Sequence, residues 1–123
     1  MSKKRNAPLA RLRQVIEAWP ETAERISHGS PTWWGGKKTF ASFHDGHHGD
    51  SRTAVWIKSD PDTREVLVQS QPEYFFVPPY VGPSGWIGVD VGGDVDWAVV
   101  EGLLEAGYRA VAPKRAIKAL DVL

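Results

Sequence analysis

The order in which helical and strand-like apolar patterns follow one another leaves few folds open to this chain. An N-terminal helix, capped by Asn6 and ended by Pro20, is predicted from apolar residues at three- and four-residue spacing, namely Leu9, Leu12, Val15, Ile16 and Trp19. Residues 21–30 are expected to form a short helical turn and a loop. Aromatic and β-branched residues at 32–58 then predict three strands of a meander, because Gly-rich and polar segments interrupt them.

The same alternation of patterns continues in the second half of the chain. Asp60 followed by Pro61 predicts a short capped helix. Two strands are expected at 74–77 and 85–91, and the Pro- and Gly-rich segment 78–83 between them predicts a rigid loop.

A long C-terminal helix is predicted next, with Asp94 as its N-cap. Its apolar stripe is broad and predicts a largely buried helix; the stripe comprises Val95, Ala98, Val99, Gly102, Leu103 and Ala106. Pro113 interrupts the pattern, and residues 114–123 predict one or two final basic helical turns.

This order has no β-α-β alternation, so a parallel, doubly wound sheet is not expected. We predict an α+β fold, an α-β sandwich in which two main helices pack on one face of an antiparallel sheet of about five strands. The 123 residues are expected to form a single domain at 8–123, after a disordered basic tail at 1–7. The period-two alternation of strands places Trp56 and Trp86 together on the helix-free face, near Lys58.

Composition narrows the class of protein. Fifteen basic and fifteen acidic side chains give a formal net charge of zero, whereas dedicated duplex-DNA binders carry a basic excess. The absence of cysteine excludes disulfides, thiolate metal sites and Cys nucleophiles. The basic residues at 1–6 are not followed by the apolar run of a secretory signal, and no apolar run approaches the ~18 residues of a membrane span. We therefore expect a cytoplasmic protein without a membrane partner. No Walker or Rossmann glycine spacing occurs, and no cofactor is predicted.

Several segments resemble one known family. The stretch Phe75 to Val89 resembles the most recognisable part of a subfamily of the MmcQ/YjbR family, and three shorter stretches agree with it: His28-Gly29-Ser30-Pro31, His47-His48-Gly49-Asp50 and Ala112-Pro113-Lys114-Arg115. The resemblance spans roughly Leu9 to Leu120. It implies a fold of the CyaY/frataxin type, with two main helices on one side of an antiparallel sheet. It also implies a regulatory, DNA-binding role through hairpins that look like a double wing, and it supplies no catalytic residues.

Five basic residues are the candidate contacts for DNA phosphates. They are Lys37 and Lys38 at a predicted hairpin tip, Arg52, and the C-terminal Lys114 and Arg115. Four of them have a plainer alternative: the two turn lysines are ordinarily solvated, and the C-terminal pair would also complement the dipole of the long helix.

A site for a small anionic or aromatic ligand is the alternative function. Its predicted location is where the loop from Pro78 to Trp86, which carries Tyr80, meets His47, His48 and Asp50. Trp56 and Trp86 would add a stacking surface for that ligand or for a protein partner. The alternative for both indoles is a structural role, in which they shield the sheet.

No residue is predicted to bind a metal or to act in catalysis. The polar run that holds His44, Asp45, His47, His48 and Asp50 contains metal-compatible side chains, but its spacing matches no motif, and we predict a hydrogen-bonded turn instead. A hydrolase needs a nucleophile, a base and an orienting group in mutual reach. The serines of this chain lie in no diagnostic sequence setting, so an enzyme is the third alternative; they include Ser30, Ser42, Ser51 and Ser84.

Overall fold

The computed structural model describes residues 3–46 and 52–123. Its helices are α1 (Lys3–Glu17), α2 (Pro61–Ser70), α3 (Trp97–Val111) and α4 (Lys114–Asp121). Its strands are β1 (Thr22–Ser27), β2 (Ser30–Gly35), β3 (Lys38–Asp45), β4 (Thr53–Ile57), β5 (Phe75–Phe76) and β6 (Ile87–Asp90). These strands form one antiparallel sheet in the order β1-β2-β3-β4-β6-β5, which confirms the predicted α+β class. No helix within the described ranges is both long and apolar enough to cross a membrane.

The helices cover one face of the sheet and form the main core with it. On β4, Val55 and Ile57 are fully buried in this core, whereas Trp56 belongs to a second apolar cluster on the opposite face. Ile87 and Val89 on β6 face the helices, as the alternation predicted. Because strand side chains point alternately to the two faces, the second face is built from a separate set of residues.

Helix α3 is capped by Asp96 and not by Asp94, since the Asp96 carboxylate accepts a hydrogen bond from the Ala98 amide at 2.9 Å. Its buried residues are Val100, Leu103, Leu104, Gly107 and Tyr108. The predicted stripe was offset from this face, because Gly102 and Ala106 are exposed. Apolar residues occur nearly all round this helix, so packing against the sheet decided which of them are buried.

The segment predicted as a helical turn after Pro20 is strand β1 at the edge of the sheet. It joins β2 through the two-residue turn His28-Gly29, in which both residues have positive φ, 51° and 81°. Two-residue turns of this kind match the twist of antiparallel strands. A bidentate ion pair between Arg13 and Glu24, at 2.9 and 2.7 Å, ties β1 to α1. An edge strand contacts the core on only one side and can remain polar, so β1 lacks the apolar run that predicts a strand.

Of the two other predicted N-caps, Asp60 and Asn6, only Asp60 is confirmed. Asp60 caps α2 and accepts hydrogen bonds from the amide and hydroxyl of Thr63, both at 2.8 Å, with Pro61 at the first helical position. These hydrogen bonds lower the pKa of Asp60. Helix α1, by contrast, begins at Lys3, so Asn6 lies within it and is not its N-cap.

Candidate ligand-binding site

The helix-free face of the sheet carries a cavity of about 720 Å³, here called the sheet cavity. Its floor is formed by β2, β3 and β4, and its walls by the His28-Gly29 turn and the loop 77–86 between β5 and β6. The lining residues are Ser27, His28, Thr32, Thr39, Ser42, His44, Trp56, Tyr80, Val81 and Trp86. Among these described residues none is Asp, Glu, Lys or Arg, so the cavity offers aromatic and hydroxyl groups in place of fixed charges.

Trp56 and Trp86 form the apolar wall of the sheet cavity. They pack together with Ala54, against Phe76 and Val81, in a cluster separate from the main core. Their side chains are only 6% and 8% exposed. The structure therefore brings the two indoles to the face that the alternation predicted, but as a buried wall and not as an open platform.

The loop 77–86 is held in place by a side chain of α2. The Arg64 guanidinium donates hydrogen bonds to the carbonyl oxygens of Gly82 and Trp86, at 2.6 and 3.1 Å. A short 3-10 turn at Gly82–Ser84 ends at Gly85, whose φ of 88° is the left-handed conformation that glycine adopts readily. Backbone anchoring of this kind keeps the loop wall fixed relative to the sheet.

Tyr80 stands at the rim of the sheet cavity in an unusual backbone conformation. Its φ is +67°, which is uncommon for a bulky residue and costs on the order of 1–3 kcal/mol. Its side chain is 72% exposed and still lines the cavity. Strain at an exposed aromatic residue beside a cavity is typical of ligand-binding positions.

The polar centre of the sheet cavity is His44, which is 8% exposed. Its Nε2 lies 2.8 Å from the hydroxyl of Ser42, and its Nδ1 lies 3.2 Å from the hydroxyl of Ser30. The imidazole stacks on Trp56 with 3.5 Å between ring centroids and 20° between planes. Two hydrogen bonds and one stacked ring thus fix the orientation of His44.

Four of the five cations predicted to contact DNA lie at one corner of the molecule. Lys37 and Lys38, at the β2–β3 turn, border a smaller cavity of about 260 Å³ together with Arg115. Lys114 precedes Arg115 at the start of α4. The Arg115 guanidinium makes a bidentate pair with Glu21, both distances being 2.7 Å, and this hydrogen bonding raises the pKa of Arg115. Arg115 therefore joins α4 to the segment before β1.

Arg52 lies away from that corner. Strand β3 begins near that corner at Lys38 and ends at Asp45, and the Arg52 carbonyl accepts a hydrogen bond from the amide of the next residue, Gly46. At ~3.3 Å per residue along a strand, Arg52 is roughly 25 Å from Lys38. Its guanidinium lies over the Phe76 ring, 3.8 Å from the centroid. The five predicted cations do not form one patch.

The polar loop residues predicted to border the ligand, His47, His48 and Asp50, lie outside the described residues. Sequence reasoning missed the grouping of His44 with two serines. Its one available signal was spacing, because Ser42 and His44 are two positions apart on a strand and so share a face. The contact with Ser30, 14 positions away, depends on how β2 and β3 pair.

The fold and the helix-free face of the sheet define the class of this protein. It is an α-β sandwich domain with an open antiparallel sheet and a cavity on the helix-free side. The family model of YjbR matches residues 17–110, and the chain belongs to the YjbR family. The fold is similar to that of the Deinococcus radiodurans protein DR2400, a crystal structure with a DUF419 domain. The two chains are 20% identical, with a TM-score of 0.74 over 92% of this chain and 87% of that one. A search of curated proteins found no significant match.

Proposed function

We propose that this protein is a binding domain for a small, uncharged, partly aromatic molecule that occupies the sheet cavity. The observation that carries the proposal is the cavity itself. Its volume of about 720 Å³ lies within the roughly 300–1,000 Å³ of small-molecule sites, and it combines an apolar wall with a few converging polar groups. The absence of Asp, Glu, Lys and Arg among its described lining residues favours an uncharged ligand over an anionic one.

Three parts of the cavity have separate tasks in this proposal. The indole wall excludes water and contacts the apolar part of the ligand. The hydroxyls of Ser42 and Thr39 supply hydrogen bonds that fix its orientation. Tyr80 stands at the rim, where its exposed ring covers the bound ligand.

A thermal-shift screen tests the proposal. The ligands are matched neutral and charged pairs, such as nucleosides with their monophosphates and aromatic alcohols with the corresponding acids. A molecule that binds only the native state raises the melting temperature, and we expect this from neutral members of the pairs. Fluorescence of Trp56 and Trp86, which line the cavity, is the second readout. Shifts produced only by the anionic members would contradict the proposed ligand class.

Replacing Tyr80 by asparagine should separate binding from stability. Asparagine tolerates positive φ, and the tyrosine ring is mostly exposed, so we expect the free energy of unfolding to change by less than about 1 kcal/mol. The affinity for a ligand found in the screen should fall about fivefold to thirtyfold, roughly 1–2 kcal/mol, because a wall of the site is lost. Titration calorimetry and urea unfolding measure the two quantities.

Val66→Ala is the matched control for that experiment. Val66 is a similarly exposed apolar side chain on α2 and does not line the sheet cavity. We expect this variant to bind as the wild type does. If Tyr80→Asn and Val66→Ala bind the ligand with equal affinity, Tyr80 does not contribute to the binding site.

DNA binding is the second candidate, and the observation that favours it is the corner where exposed Lys37 and Lys38 lie near the start of α4 with Lys114. Contacts from three lysines give affinity for duplex DNA a log–log salt slope of about −2.7. Fluorescence anisotropy titrations at several low salt concentrations measure this slope. Replacing Lys37 and Lys38 by alanine should remove about two thirds of the slope, whereas Arg11→Ala, on α1, should not. Flat titrations at tens of micromolar protein would exclude this candidate and leave the ligand proposal standing.

A further inference from the structure

The arrangement around His44 meets a chemical requirement that goes beyond binding. Nucleophilic catalysis by serine needs a base within hydrogen-bond reach and a third group that orients the base. Ser42 Oγ lies 2.8 Å from His44 Nε2, and Ser30 Oγ lies 3.2 Å from the other ring nitrogen. We propose that Ser42 is a nucleophile and His44 its general base, acting on an activated acyl compound such as an ester.

The orientation of His44 supports this assignment. The general-base role uses the tautomer with its proton on Nδ1, in which the ring donates to the Ser30 hydroxyl and Nε2 accepts a hydrogen bond from the Ser42 hydroxyl. Stacking on Trp56, at 3.5 Å between centroids, prevents the ring from rotating away from Ser42. Ser42 also lines the sheet cavity, so an acyl group bound there lies next to the hydroxyl.

The reaction proceeds in two balanced steps. Ser42 Oγ attacks the acyl carbon while its proton passes to His44 Nε2; the carbon–oxygen bond to the alcohol breaks, and the departing alkoxide takes the proton from His44. Water then attacks the acyl-serine, with His44 accepting the water proton and returning it to Ser42 as the acyl group leaves as a carboxylic acid. Ser30 is neutral and stabilises the imidazolium less than a carboxylate would, so the proposed substrates are esters with good leaving groups.

A chain without cysteine allows a direct test of the base. In a Ser42→Cys variant, the only thiol of the protein would lie beside His44, which lowers the pKa of a thiol and raises its reactivity at neutral pH. Ser27→Cys is the matched control, since Ser27 lines the same cavity and is half-buried like Ser42. We expect iodoacetamide to alkylate Ser42→Cys at least tenfold faster than Ser27→Cys at pH 7. Adding His44→Gln to Ser42→Cys should abolish that advantage.

The wild-type protein supplies a second measurement. Incubation with p-nitrophenyl acetate should acetylate Ser42, as peptide mass mapping would show. The Ser42→Ala variant should lose the adduct while circular dichroism shows that it is still folded. Equal alkylation rates in the two cysteine variants, or acetylation elsewhere than Ser42, would overturn the proposal. The assignment of Ser42 and His44 rests on the proposed function only in that the acyl compound occupies the same cavity. The thiol measurement needs no cavity ligand, so failure here leaves ligand binding intact, and failure of the ligand screen leaves the thiol result intact.

Discussion

Replacing Trp86 or Trp56 by alanine is expected to lower the free energy of unfolding by about 3–5 kcal/mol, the usual cost of truncating a buried tryptophan. Both indoles are almost fully buried and pack in one cluster with Phe76 and Val81. Truncation opens a void in a cluster that has few other large side chains. Urea unfolding monitored by circular dichroism measures the loss.

Trp34→Ala is the control for the two indole truncations. Trp34 is a half-buried residue of β2 whose ring contacts the Arg25 guanidinium, 4.2 Å from the ring centroid. It should cost less stability than either cluster residue. A loss below about 1 kcal/mol for Trp86→Ala would mean that the indole is an open surface residue, as the stacking role predicted from the sequence requires. Trp86→Phe, which keeps most of the apolar volume, then tests ligand affinity in a folded protein.

Gly107→Ala is expected to destabilise the protein by about 1–3 kcal/mol, because α3 packs closely on the sheet at this position. A Cβ atom at Gly107 would lie 2.9 Å from the carbonyl oxygen of Lys58 and 3.2 Å from Ile57 Cγ2. The nearer of these atoms belongs to the backbone and cannot rotate away. Helix α3 would have to lift from β3 and β4, which also form the floor of the sheet cavity.

Gly102→Ala on the same helix is the matched control. Apart from the adjoining residues and backbone of α3 itself, no atom of the described residues lies within 4 Å of the position that its Cβ would occupy. Alanine should therefore stabilise the protein by about 0.5–1 kcal/mol through its higher helix propensity. Thermal or denaturant unfolding of the two variants should show opposite signs. A gain in stability from both substitutions would contradict the close helix–sheet contact.

Strand alternation was predictable because it depends only on local geometry. Ile87 and Val89 were assigned to the core, and Trp56 and Trp86 to the other face, from the period of two of a regular strand. The Asp60-Pro61 cap was predictable for the same reason, since the capping hydrogen bond spans three residues. Strand β1 was not predictable, because a polar edge strand forms through its hydrogen bonds to the neighbouring strand, here β2.

The candidate site was predictable in part. Trp56, Trp86 and Tyr80 were placed near a ligand, and each of them lines the sheet cavity. The role of His44 was not predictable, since its partner Ser30 and the stacked Trp56 are reached through strand pairing. The pairing of Arg115 with Glu21 joins residues 94 positions apart, so no local pattern could have shown that this predicted DNA contact already holds a carboxylate.

By itself, the sequence determined the class of fold, the faces on which the residues of β4 and β6 lie and the chemical types available on those faces. These follow from spacings of two to four residues, over which backbone geometry is the same in every protein. Only the tertiary structure decided which of those residues meet. The register between β2 and β3, the anchoring of the loop 77–86 by Arg64 and the depth of the sheet cavity all join distant segments, and the energy of such contacts depends on the packing of the whole domain.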